Sequence, residues 1–130
     1  MKKTKEELQG LCSKILESDS YIRFVGIPNK MGRQIVSCYR NELIPLLTPQ
    51  EIEMLSIESV LRMKTRRDFE SKLGRPVYSF TLYEKIKRAA IALNTEEYPI
   101  IMLSFDRQAD PEHTILDKIL PILREEGLLL

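Results

Sequence analysis

The fifteen residues "GIPNKMGRQIVSCYR", Gly26 to Arg40, admit two readings: a nucleotide-binding loop, or a turn that lets one strand become the next. A phosphate-binding loop needs G-x-x-x-x-G-K-[ST] between a strand and the helix it opens. Here Gly32 is preceded by Met31, followed by Arg33, and leads into the β-rich "RQIVSCYR". Asn29-Lys30 also lacks the aspartate of the guanine-reading N-K-x-D motif, because Gly32 occupies that place. The stretch therefore reads as a hairpin joined by a Pro-Asn-Lys-Met-Gly loop. A hairpin here commits the chain to an antiparallel sheet.

Upstream of the hairpin, "YIRFVGI" carries the aromatic and β-branched residues of a strand from Tyr21 to Ile27. Before it, Leu8, Leu11, Cys12, Ile15 and Leu16 recur at helical spacing and predict a helix from about Lys5 to Glu17. Downstream, "NELIPLL" is a linker that delivers the chain to "TPQE". Thr48 suits an N-cap, Pro49 the first helical position, and Glu51 completes a capping box. From Ile52 the helix is expected to continue to "FESKLG", with Gly74 as its stop and Pro76 preventing resumption.

Two strands follow, Val77 to Leu82 and Ile86 to Leu93, joined tightly near Tyr83-Glu84-Lys85, although "YEKIKRAAIAL" has helical propensity of its own. "YPIIMLSFD" is a buried strand bounded by Pro99 and Asp106. Asp110-Pro111 then opens a helix with the apolar stripe Ile115, Leu116, Ile119, Leu120 and Leu123, which Pro121 is expected to kink or shorten. The fold class is α+β, in the order α-β-β-α-β-β-β-α, with five strands in a mostly antiparallel sheet and helices on its faces.

A chain of 130 residues suits one domain, 1–130, with a single core. Twenty basic and nineteen acidic residues give a net charge of +1, so attraction to nucleic acid or anionic lipid would need a local patch. Cys12 and Cys38 lack C-x-x-C spacing and read as small core residues of a reducing compartment. "MKKTKEELQG" leads into no apolar run of signal length, and no stretch approaches a membrane span. A cytoplasmic location is the expectation.

The central helix has more apolar surface than one sheet requires. At 100° per residue, Ile52, Leu55, Val60 and Met63 gather on one side, while Met54, Ile57 and Leu61 line nearly the opposite side. Burying each such side chain is worth on the order of 1.5 to 3 kcal/mol, so three left in water are a liability. A second copy of the chain would cover them; so would the first helix or the "NELIPLL" linker within one molecule.

Other chemistry is sparse. Arg62, Lys64, Arg66, Arg67, Lys72 and Arg75 against Asp68 and Glu70 make a basic segment, with Lys85, Lys87 and Arg88 expected nearby, that could meet phosphates or an acidic partner. Aromatics for base stacking are not interleaved within Arg62 to Arg67, which argues against nucleic acid. His113 has no nucleophile near it in sequence. Asp106 and Asp110 carry oxygens that suit a divalent ion, but a turn carboxylate and a helix cap explain them more simply. The reading is non-enzymatic, with no cofactor and no metal.

The element order and the tight first hairpin resemble the roadblock (dynein light chain) superfamily, close to longin and profilin-like folds. In detail, "IRFVGIPNKMGR", "RRDFESKLG" and "YSFTLYEKIK" followed by "YPIIMLSFD" are similar to a group of archaeal, thaumarchaeal-type proteins over most of the chain. The roadblock resemblance implies a homodimer or heterodimer formed by the central helix and a neighbouring strand, serving as a platform for small Ras-like GTPases or as a scaffold in signalling. On this chain it assigns the dimer surface to Met54, Ile57, Leu61 and the strand around Tyr78 and Phe80. It implies no catalytic residue and no arginine finger. The alternatives are a ligand-sensing domain of PAS or profilin-like fold, and nucleic-acid binding through the basic segment from Arg62 to Arg75.

Overall fold

The computed structural model describes residues 2–129. Helix α1 (Lys5–Glu17) precedes the hairpin β1 (Ile22–Pro28) and β2 (Gln34–Tyr39). A linker leads to α2 (Pro49–Arg67) and the short α3 (Glu70–Leu73), then to β3 (Tyr78–Leu82), β4 (Ile86–Ala92) and β5 (Ile100–Asp106). The chain closes with α4 (Pro111–Thr114), a π-helical turn (Ile115–Ile119) and α5 (Leu120–Glu125). The strands form one antiparallel sheet in the order β2-β1-β5-β4-β3, so the last strand inserts at the centre and β2 and β3 are the edges.

Strand alternation divides the side chains between two cores. Val25, Ile27, Ala89, Ile91, Ile101, Leu103 and Phe105 face α1 and the C-terminal helices. Phe24, Ala90, Ala92, Ile100 and Met102 face α2, where Val60 and Met63 are buried against them and Ile52 and Leu55 partly so. A register shift between Ile22 and Phe24 puts Ile22 on the same side as Val25, which strict alternation forbids. The continuous apolar run of β5 follows from its central place, covered on both faces.

The hairpin loop is built by Asn29, whose Oδ1 accepts the Met31 and Arg33 N–H groups at 2.9 and 3.1 Å. Gly32 has φ +90°, and a Cβ there would stand 2.6 Å from the Ile57 Cα, so its hydrogen lets the loop rest on the α2 backbone. That contact is what the glycine is for. Beneath it, Gln34 donates to Ser56 Oγ at 3.1 Å, fastening β2 to the helix.

Both helix starts carry reciprocal capping boxes, Thr4 with Glu7 and Thr48 with Glu51, the second in agreement with the sequence reading. The expectation of one helix reaching "FESKLG" is corrected. The N–H groups of Asp68 and Phe69 bond to carbonyls three residues back, at 3.1 and 3.2 Å, and Phe69 leaves helical geometry at φ −102°, ψ 10°. This tight turn separates α2 from α3, while Arg67 donates to the Leu93 carbonyl and ties the last turn of α2 to the end of β4. Gly74, at φ +82°, then ends α3 as expected.

Pro121 does not break the final helix. It lacks the N–H that an α-helical turn needs, and just before it the Leu120 N–H reaches the Ile115 carbonyl in a wider π turn. More residues per turn rotate Leu116 out of the stripe, so it is exposed, while Ile115, Ile119, Leu120 and Leu123 are buried.

Candidate interaction surface

The outer side of α2 presents the second stripe to solvent. Met54 is 70% exposed, Leu61 58% and Ile57 41%, and neither α1 nor the linker covers them. Helix α1 lies on the other face of the sheet, and the linker's own Ile44 and Leu46 are exposed. Together with Glu58, Arg62, Thr65 and Arg66, the stripe lines an open depression along the helix. Ile57 is the least exposed of the three because the hairpin loop sits against its backbone at Gly32.

Beside this helix lies the outer edge of β3, which among the described residues pairs only with β4. Tyr78 stands opposite Ile91 and Phe80 opposite Ala89, so both side chains belong to the sheet face that carries α1. Ser79 and Thr81 occupy the α2 face instead. Phe80 is exposed and Tyr78 half-buried. The two groups assigned together from the sequence are therefore joined by the strand's backbone edge and lie on opposite faces of the sheet.

The basic segment is partly neutralised within the fold. Arg62 Nη2 lies 3.6 Å from Glu58 Oε1, Arg75 Nε 3.9 Å from Glu70 Oε1, and Arg67 is held by the Leu93 carbonyl. Lys64 and Arg66 are exposed on α2. Asp106 receives Arg23 at 2.9 Å, and Asp110 caps the last helical segment by accepting the His113 N–H at 3.2 Å, so these carboxylates do not converge on an ion site. His113 Nδ1 meets Asp117 at 2.7 Å on the surface.

Cys12 and Cys38 lie side by side with their Sγ atoms 3.2 Å apart, a pairing their sequence spacing did not announce. Cys38 donates to Cys12, which in turn donates to the Val25 carbonyl at 3.2 Å, and the bond from Cys38 together with burial raises the Cys12 pKa. The same bond lowers the pKa of Cys38.

Cavities are modest. The small space between the linker, Phe24, Tyr39 and Arg88 is about 50 Å³, room for water rather than for the roughly 300 Å³ or more of an ordinary ligand. A shallow apolar groove of about 740 Å³ runs between Leu46, Leu47, Met54, Leu55 and Tyr83, open to solvent. Arg88, which the sequence reading placed only as a neighbour of the basic segment, lines both of these spaces and also the gap between α2 and the β3–β4 hairpin. Its signal was present: an arginine on the helix-facing side of a strand, two residues before Ala90.

No family model and no curated protein sequence matches the chain. Solved structures do. MglB of Myxococcus xanthus aligns with a TM-score of 0.71 at 12% identity, covering 97% of this chain and 89% of that one. The gliding protein MglB of Thermus thermophilus gives 0.67 at 13% identity, covering 96% and 95%. A Roadblock/LC7 domain from Streptomyces avermitilis gives 0.67 at 9% identity, covering 92% and 96%. The fold is thus roadblock-like, as the order of elements implied.

Proposed function

We propose that this chain is a non-enzymatic interaction module that forms a homodimer through the outer face of α2 and the outer edge of β3, offering a platform to a partner such as a small Ras-like GTPase. The observation that carries this reading is the stripe of Met54, Ile57 and Leu61, left in water next to an uncovered strand edge. Edge strands left bare invite pairing, and apolar stripes invite cover. A twofold contact satisfies both, because the same patch meets itself. The roadblock-like neighbours support it, one of them an MglB solved with a tetrameric arrangement. In that contact Tyr78 and Phe80 would flank the strand seam on the side away from α2. The exposed basic residues Lys64 and Arg66 would border the platform, where an acidic surface of the partner fits them.

Light scattering behind size exclusion, run across a concentration series, tests the dimer. A mass twice 15.2 kDa at micromolar protein is the expected outcome. A single-chain mass at every concentration overturns the reading. The GTPase arm is separate: co-elution with a Ras-like GTPase that depends on its bound nucleotide supports it.

A further inference from the structure

A cleft between α2 and the β3–β4 hairpin has a chemistry that neither apolar surface shares. Its volume is about 260 Å³. Helix positions Ser59, Arg62 and Arg66 form one wall, one turn apart and therefore on one side of α2. Ser79, Thr81 and Arg88 form the other, because Thr81 stands opposite Arg88 in the ladder and Ser79 opposite Ala90. Ala90 is small and leaves the floor open.

Three guanidinium groups meet one carboxylate here, Glu58, which Arg62 already approaches at 3.6 Å. Neither Arg66 nor Arg88 has an ion-pair partner among the described residues. Arg88 is half-buried on its strand, and burial is the leading influence that pushes its pKa down. Glu58 favours the charged form of Arg88 as well, but Arg62 already engages it, so the guanidinium groups of the cleft outnumber its one carboxylate three to one.

We propose that this cleft binds a phosphate monoester of a small molecule, with Arg88 and Arg66 gripping the phosphoryl oxygens and the hydroxyls of Ser59, Ser79 and Thr81 donating to them. A planar guanidinium matches two oxygens of a tetrahedral phosphate, and the net charge of the wall complements a dianion. The cleft is larger than phosphate itself, so a small organic body fits beside it. The site draws on residues of one chain, although Arg62 and Arg66 also line the depression beside Met54, Ile57 and Leu61, so the cleft opens next to the proposed dimer face.

Amide and arginine side-chain NMR of the full chain, titrated with inorganic phosphate and with glycerol 3-phosphate at constant ionic strength, is the test. Saturable shifts confined to Thr81, Arg88 and the neighbouring turn of α2 are expected, with tighter binding at pH 8 than at pH 6 because the dianion predominates. Arg88→Met should weaken binding at least about tenfold, as loss of a charge-assisted pair does, and Thr81→Val by roughly threefold. Arg75→Met, outside the cleft, should leave it unchanged. Tighter binding of the glycerol ester than of phosphate supports an organic ligand, and equal binding overturns that part of the assignment. Shifts that follow chloride equally, or persist undiminished in both Arg88→Met and Thr81→Val, overturn the site altogether.

Discussion

Replacing Leu61 by lysine separates the two surfaces of α2 cleanly. Leu61 is 58% exposed in the single chain, so a lysine there keeps its stem on the helix and its ammonium in water. Monomer stability should change by no more than about 0.5 kcal/mol, the ordinary range for a surface site. In a twofold contact the same change is made twice. Burying the exposed part of each Leu61 is worth roughly 1 to 2 kcal/mol, and covering each ammonium instead costs about 1 kcal/mol or more. The combined loss is about 4 kcal/mol or more, which weakens the dimer by nearly three decades. Sedimentation velocity from about 0.1 to about 300 μM, a span of roughly three and a half decades, should show the dimer's dissociation range moving upward while thermal unfolding of the dilute monomer stays put. Ile57→Lys is the less discriminating variant, because the Ile57 backbone also supports the Gly32 turn. If Leu61→Lys and the parent chain self-associate alike, the stripe is not the interface and the reasoning fails.

Other consequences concern the fold that holds this surface. Gly32→Ala combines a left-handed φ of +90° with a Cβ 2.6 Å from the Ile57 Cα, so urea unfolding should reveal a loss of roughly 3 kcal/mol or more; a near-neutral result would mean the loop does not rest on α2. Asp19 accepts the Tyr21 N–H at 2.8 Å, the Thr114 hydroxyl at 2.9 Å and Lys118 at 3.2 Å. Burial works to raise its pKa, but these three bonds outweigh it and the net shift is downward. With the folded pKa depressed, Asp19 stabilises above its unfolded value of about 4 and loses that contribution as pH falls through the lower folded value. Asp19→Asn should therefore cost about 1 to 3 kcal/mol at pH 7 and converge with the parent in strong acid; parallel stability curves would refute the assignment. Iodoacetamide should alkylate Cys38 with a midpoint below the ordinary thiol range of about 8.5 and spare Cys12 in the folded chain. Cys12→Ala should raise that midpoint, and equal labelling of both thiols would contradict the opposite shifts of the pair.

Much of the architecture was readable because it rests on local rules. Thr48, Pro49 and Glu51 specify a helix start through contacts within one turn, and the structure places α2 there. The apolar run of Ile100–Asp106 marks a buried strand whatever its partners, whereas Ile86–Ala92, which does not alternate and has helical propensity, becomes a strand through its pairing with β3 and β5. The same 100° geometry that divided Met54, Ile57 and Leu61 from Val60 and Met63 separates exposed from buried residues in the fold. The boundaries that failed were those set by distant groups: α2 stops where Arg67 meets the Leu93 carbonyl, and Leu116 turns outward where a π turn precedes Pro121.

By itself the sequence determined the five strands and their order along the chain, the starts of the first two helices, the hairpin at Asn29 to Gly32, and the doubly apolar character of the central helix, since each follows from neighbours within a few residues. Only the tertiary structure decided that Gly32 lies on Ile57, that Cys12 touches Cys38, that Tyr78 and Phe80 face away from α2, and that Arg88 joins Arg62 and Arg66 across a cleft. Those juxtapositions depend on strand order and register, which bring together residues up to dozens of positions apart. Periodicity along the chain carries the direction of a side chain but not the identity of what it meets.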